Sequence, residues 1–226
     1  KIRERRKFIP ERVKGLAQES KKYFRNPLSE FVYYRTYSRW IEEEGRRETW
    51  IETVERYINF MRENLGKKLA DNEYEEIKKT ILRQEVMPSM RLLWSAGKAA
   101  KASHVSAYNC SFIAPTQLRD FAEIVYLLMC GTGVGFSVES QTAQRLPIVK
   151  RQTGKLLKTH TIEDSKEGWG DALTAGLKTW YSGKDIQFDY SKVRLEGARL
   201  KTMGGRSSGP AALKSLIDFS RSKVLS

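Results

Sequence analysis

Cysteine and histidine are scarce in this sequence, with two of each among 226 residues: Cys110, Cys130, His104 and His160. The histidines lie far apart, neither neighbours a cysteine, and no paired-ligand spacing exists, so the pattern does not support a zinc site. A serine or cysteine hydrolase triad would need one of them as its base and an elbow sequence around the nucleophile, and no such elbow is present. The two cysteines differ in setting. Cys130 ends the apolar run Phe121 to Cys130, where a thiol behaves as a small buried hydrophobe. Cys110 stands in the short run Asn109-Cys110-Ser111-Phe112-Ile113-Ala114, which reads as a strand ending at Pro115. Alternation in a strand can point one set of side chains at a cavity. A thiol there can do redox chemistry; composition by itself favours the plainer alternative, a buried strand thiol.

Two glycine-bearing segments come next. Gly131, Gly133 and Gly135 suggest a dinucleotide-binding turn, but that turn follows a strand and opens a helix. Here an apolar helix precedes the glycines and the strand Phe136-Ser137-Val138 follows. The better reading is a helix cap and a close turn into a strand, which can still face a ligand. The run Arg194 to Pro210 carries glycines, hydroxyls and the cations Arg194, Arg199, Lys201 and Arg206, and leads into a helix from Pro210 through Ser220. Such donors and a helix amino terminus suit phosphate, although the spacing is not that of a Walker loop and a solvated surface loop would look the same.

The elements that hold these segments change in style along the chain. Lys1 to Asn26 alternates charge with apolar residues at helical spacing up to the Asn26-Pro27 breaker, and Leu28 to Trp40 is crowded with tyrosine and arginine. Thr49 and Glu52 form a capping-box signature for a helix carrying Ile51, Val54, Tyr57, Ile58 and Met61 on one face. Asp71 to Glu85 reads as a further helix. Near Met87-Pro88 charge density falls and short apolar segments alternate with helical ones, as in an α/β chain. We therefore expect a helical amino-terminal region over residues 1–86 and an α/β region over 87–226.

Composition bounds the function. With 40% hydrophobic and 11% aromatic residues a core can form, so wholesale disorder is excluded. No run approaches the roughly 20 apolar residues of a membrane-spanning helix, and two cysteines make no disulfide scaffold, so a cytoplasmic, reduced chain is expected. The formal net charge of +14 suits either a nucleic-acid binder or an enzyme for polyphosphate ligands.

Taken in order, the motifs resemble the catalytic chain of ribonucleotide reductases, most closely the adenosylcobalamin-dependent (class II) enzymes of monomeric type. The resemblance runs through Tyr34-Arg35-Thr36-Tyr37-Ser38-Arg39-Trp40, Gly45 to Val54, Met87-Pro88-Ser89, Leu93-Trp94-Ser95-Ala96-Gly97, Asn109-Cys110-Ser111-Phe112, Gly131 to Ser137, Arg194-Leu195-Glu196-Gly197 and Gly204 to Pro210. It implies an α/β fold, a mainly helical region followed by the first part of a ten-stranded α/β barrel. It further implies that Cys110 is one of the two reductant thiols of thiyl-radical chemistry, and that Cys130 has no catalytic role. By the same resemblance Ser89, Asn109, Gly135 and Ser137 fall among substrate contacts, and Arg199 and Lys201 lie near the phosphates of a deoxynucleoside triphosphate effector.

The radical-bearing cysteine, the second reductant cysteine and the shuttle cysteines of that family have no counterpart before Ser226. We therefore expect an amino-terminal piece, from a split gene, an intein or endonuclease insertion, or cleavage. Such a piece would be inactive alone and would rely on the carboxy-terminal half of the reductase for most cobalamin contacts. A ribonucleotide substrate, a thioredoxin-type reductant and no membrane partner complete the expectation, with overall control by dATP not expected because the regulatory ATP cone has no counterpart. Two alternatives stand beside it. One is the diiron-radical (class I) catalytic subunit. The other is a basic helical module binding nucleic acid through Lys1 to Arg62, which the interleaving of Glu with Lys and Arg there makes unlike a dedicated phosphate surface.

Overall fold

The structure is a computed structural model that describes residues 11–200, 202 and 204–226. It divides into two compact units, residues 1–107 and 108–226. The helical face expected of Ile2, Phe8 and Ile9 lies outside the described residues.

The first unit is helical. Helix α1 spans Glu11–Lys21 and α2 spans Pro27–Thr36. The Asn26-Pro27 breaker is the start of α2: the Asn26 side chain accepts from Ser29 N at 2.9 Å while the Ser29 hydroxyl accepts from Asn26 N, and proline suits the first turn because it lacks an N–H that would go unpaired. A two-residue hairpin follows, β1 (Trp40–Ile41) against β2 (Arg46–Arg47), closed by Gly45 at φ 64°. Helix α3 (Trp50–Leu65) opens on the expected capping box, with Glu52 accepting from Thr49 N at 2.7 Å. Helices α4 (Asp71–Leu82), α5 (Met90–Ser95) and α6 (Lys98–Ala102) complete the unit. Its core joins Tyr33, Trp50, Val54, Ile58, Tyr74 and Ile81 to Leu93, Ala96 and Ala100. The division by packing therefore falls after Ala107 rather than where charge density drops, because the small residues that follow Met87-Pro88 let short helices pack closely onto α3.

A buried polar cluster fixes this unit. The Glu48 carboxylate accepts from Arg56 Nε at 2.8 Å, from the Thr53 hydroxyl at 2.9 Å and from Arg39 N at 3.3 Å. Arg56 also donates to Leu93 O at 3.1 Å and Ala96 O at 2.9 Å, which ties α3 to α5.

The second unit alternates strands and helices. Strand β3 (Cys110–Ile113) is followed by α7 (Leu118–Met129), β4 (Gly133–Phe136), the single turn α8 (Ser140–Ala143), β5 (His160–Thr161), α9 (Lys166–Tyr181), β6 (Phe188–Asp189) and α10 (Pro210–Leu225). The pairs β3–β4 and β5–β6 are both parallel, each made by a crossover through a helix. Leu118, Ile162, Leu173, Leu177, Trp180, Leu213 and Ile217 form its core, so α7, α9 and α10 share one apolar centre. The overall character is helix-rich with three small two-stranded sheets among the described residues.

Candidate active site

Cys110 opens β3, and its register with β4 decides what surrounds it. Cys110 pairs with Gly133 and Phe112 with Gly135. Registered partners in parallel strands, and residues two apart along each, share a face. One face of this two-stranded sheet therefore carries Cys110, Phe112, Gly133 and Gly135. That face is open: Cys110 is exposed and Phe112 is 67% exposed. The half-buried Ser111, Ile113 and Val134 lie on the other face, and α7 packs against both strands.

The glycines are thus not where their sequence order suggested. Gly131, at φ 83°, does turn the chain out of α7, but Gly133 and Gly135 are strand residues. Glycine inside a strand lowers stability and marks a place where something must approach the backbone closely. At Gly135 a Cβ would come within 3.3 Å of the Phe112 ring, and at Gly133 within 3.6 Å of Asn109 O. The floor beside the Cys110 thiol is bare backbone. Phe112 is the member of this face that motif reasoning passed over; its i+2 spacing from Cys110 was the available signal.

The other expected residues are placed as follows. Asn109 is exposed and its carbonyl accepts from Gly133 N at 2.9 Å, which starts the strand pairing. Ser137 follows β4; its hydroxyl lies 3.2 Å from Thr142 Oγ1 and accepts from Glu139 N at 3.3 Å, so it shapes the turn into α8. Cys110, Asn109, Gly135 and Ser137 belong to one small sheet. Ser89 belongs to the first unit, where its side chain accepts from Leu92 N at 3.5 Å as the cap of α5.

Cys130 is buried at the end of α7, as its apolar run predicts, and its Sγ accepts from Lys166 Nζ at 3.2 Å. No disulfide joins it to Cys110. Asp120, in the first turn of α7, is held below the usual carboxylate range: burial opposes ionisation, but bonds from the Thr116 and Gln117 amides outweigh it.

The segment expected to meet phosphate forms a hairpin. Arg199 and Arg206 face each other in an antiparallel bridge, Leu200 N donates to Gly205 O at 3.0 Å, and Gly204 and Gly205 take φ of 76° and 85° at the tip. Arg199 is exposed, whereas Lys201 lies outside the described residues. Arg194 is already engaged: its guanidinium donates to Asp164 at 2.7 Å. Gly209 closes the base at φ 69°, where a Cβ would meet Glu196 N at 2.9 Å. Two depressions lie away from Cys110, one of about 390 Å³ beside Arg56 and Glu63 and one of about 610 Å³ between α7 and α9. Among the described residues no group of three or more His, Cys, Asp or Glu side chains is placed to hold a metal ion.

Comparison with known proteins shows what this chain is similar to. Residues 9–98 match the ribonucleotide reductase alpha domain. The adenosylcobalamin-dependent ribonucleoside-triphosphate reductase of Euglena gracilis is 31% identical over 212 residues, covering 84% of this chain and 29% of the relative. That of Lactobacillus leichmannii is 27% identical over 253 residues, covering 82% and 34%. A crystal structure of a B-12 dependent (class II) ribonucleotide reductase superposes with a TM-score of 0.73 at 22% identity, over 94% of this chain and 39% of that one. The chain is thus similar to adenosylcobalamin-dependent ribonucleotide reductases, matching their amino-terminal portion. It spans about a third of the length of the curated relatives it matches.

Proposed function

We propose that this chain forms part of a ribonucleotide reductase that converts ribonucleotides to deoxyribonucleotides by thiyl-radical chemistry, with Cys110 as one of its two reductant thiols. The observation that carries this reading is the exposed Cys110 thiol on the side-chain-free floor of Gly133 and Gly135. A ribose laid on that floor would meet the Cys110 sulfur and bare backbone, with the Phe112 ring at its side. Two thiols then become a disulfide as the 2'-hydroxyl leaves as water and a C–H bond takes its place: the ribose carbon gains the two electrons that the thiols lose. A second cysteine must share that disulfide, and buried Cys130, bonded to Lys166, is not suited to it. A thioredoxin-type reductant would restore the dithiol by exchange.

This reading calls for adenosylcobalamin, whose cobalt is held by its own corrin ring. Its contribution when bound is the radical, and its contacts come mostly from sequence beyond this chain. The parallel β3–β4 and β5–β6 pairs are read as the first strands of the family's ten-stranded barrel. Asn109, Gly135 and Ser137 would line the substrate beside Cys110, with Ser89 as a further contact, and Arg199 and Lys201 on the hairpin would meet the phosphates of a deoxynucleoside triphosphate effector. No described helix is long and apolar enough to cross a membrane, and a cytoplasmic setting follows from the need for reduced thiols.

The test joins this chain to the remainder of the catalytic polypeptide and measures adenosylcobalamin-dependent formation of deoxyribonucleotide with a dithiol reductant. Cys110→Ser is expected to lower turnover at least about 100-fold, as loss of a proton and electron donor in the reaction should, while Cys130→Ser keeps it. Full turnover in the Cys110 variant would refute the reading.

A further inference from the structure

The second unit carries a surface that the reductase reading leaves unused. Between Ser140 and Ile162 the chain has no carboxylate, yet it holds Arg145, Lys150, Arg151, Lys155 and Lys158. All five are exposed, and every residue from 147 to 156 is exposed with them. None has an ion pair among the described residues, and neither has the adjoining Lys184. Asp185, whose backbone meets this stretch, has its carboxylate already neutralised by Arg221, which donates to it at 2.5 and 3.0 Å.

The stretch is also held in place. Lys150 N donates to Tyr181 O at 2.9 Å, Thr153 N to Gly183 O at 2.8 Å, Asp185 N to Lys155 O at 2.9 Å and Leu157 N to Asp185 O at 2.8 Å. It runs as a strap along the turn after α9, with a parallel bridge between Leu156 and Asp185. Gly183, at φ 81°, is required there, since a Cβ would fall 2.3 Å from Arg151 O. Fixed backbone means that binding orders only the cation side chains and not the chain that carries them. Ile148, 90% exposed, and Leu156 add apolar surface between the charges. The helices of the first unit differ in kind, since their cations are interleaved with glutamates and many are paired, as in Arg62 with Glu75 and Lys78 with Glu55.

From this we propose that the strap Arg145–Lys158, with Lys184, is a binding surface for the phosphate backbone of single-stranded nucleic acid. An extended strap of this length reaches up to ~40 Å, enough to track several successive phosphates, and exposed aliphatic side chains can pack against bases without reading their sequence. The proposal stands independently of the chemistry at Cys110.

The full chain is titrated into a fluorescently labelled single-stranded DNA oligonucleotide, followed by anisotropy over a range of KCl concentrations. A strap variant (R145Q, K150Q, R151Q, K155Q, K158Q) is compared with a control of equal charge loss elsewhere (K22Q, K67Q, K68Q, K98Q, K214Q). The strap variant is expected to bind at least about tenfold more weakly at 0.1 M KCl, with the slope of log K against log[KCl] shallower by up to ~3.5, at ~0.7 per lost phosphate contact. The control should keep both the affinity and the slope. Equal losses in the two variants would show only a response to net charge and overturn the proposal. Displacement of the oligonucleotide by poly-glutamate at matched charge would also overturn it, in favour of an acidic protein partner. Because every substituted residue is exposed, an unchanged melting temperature in both variants confirms that folding is not being read.

Discussion

The cluster around Glu48 gives the sharpest test of how the first unit is held. The Glu48 side chain is 9% exposed and that of Arg56 18%. Glu48→Gln replaces one carboxylate oxygen by an NH₂ group that faces the Arg56 and Arg39 donors, so two donors oppose each other and the guanidinium loses its counter-charge. Breaking a buried pair on one side costs about 3–5 kcal/mol, because the remaining charge is left uncompensated. Since Arg56 keeps Leu93 O and Ala96 O as acceptors, the lower end, about 3 kcal/mol, is expected. The matched change Glu48→Leu with Arg56→Met removes both charges but orphans those two carbonyls, so it should cost less than the sum of the single changes by at least about 2 kcal/mol. Urea unfolding combined with hydrogen exchange of α3 and α5 amides measures both quantities in the full chain. A Glu48→Gln cost under about 1 kcal/mol, or a coupling near zero, would refute the view that this pair fastens α5 to α3.

Three further outcomes follow from the structure. Cys110 should react with a thiol reagent at the rate of an exposed thiol, while Cys130 should react more than about 10³-fold more slowly, through opening of the fold; equal rates would contradict its burial. Asp185 is held at about 2, first by the Arg221 bonds and then by the Ile186 amide and Trp180 indole, against the opposing effect of burial. A lowered carboxylate pKa gives stability that is present above the unfolded value near 4 and is lost as pH falls from about 4 to 2. Discounted for the exposed Arg221, the contribution is about 1 kcal/mol, so acid titration of wild type and Asp185→Asn should converge in that window and differ above it. Thr49→Ala removes the cap of α3 and should lower stability by about 1 kcal/mol, read as a fall in melting temperature that Thr49→Ser largely restores.

What could be read from the sequence was what neighbours in the chain decide. The Thr49 and Glu52 box, the stop at Asn26-Pro27 and the apolar run ending at Cys130 are local devices, and each marks a real element boundary. The β1–β2 hairpin went unread because three glutamates and a glycine join two-residue strands that are stabilised by their setting: Ser38 donates to Glu48 O and Arg47 to Ser38 O. The place of Ser89 in the first unit was hidden for a related reason. The small residues after Met87-Pro88 look like a change of architecture, but their meaning lies in how closely α5 and α6 approach α3.

The glycines after α7 show why the candidate site was only half legible. Gly131 obeys its local role, because a left-handed residue must end the helix there whatever happens later. Gly133 and Gly135 instead take their meaning from β3, more than twenty residues earlier, through the register that sets them beside Cys110 and Phe112. A one-residue slip of that register would put Val134 and Phe136 beside the thiol and cover it. Local propensity counts glycine as a turn former, but only the long-range pairing makes it a floor. The thiol's accessibility is therefore a property of two segments at once. Gly133→Val, which keeps β propensity and fills the floor, should slow modification of Cys110 by a bulky thiol reagent severalfold while leaving a small one little affected. Equal slowing of both reagents would mean that the strand pairing had been lost, and no slowing of either would mean that Gly133 does not border the thiol.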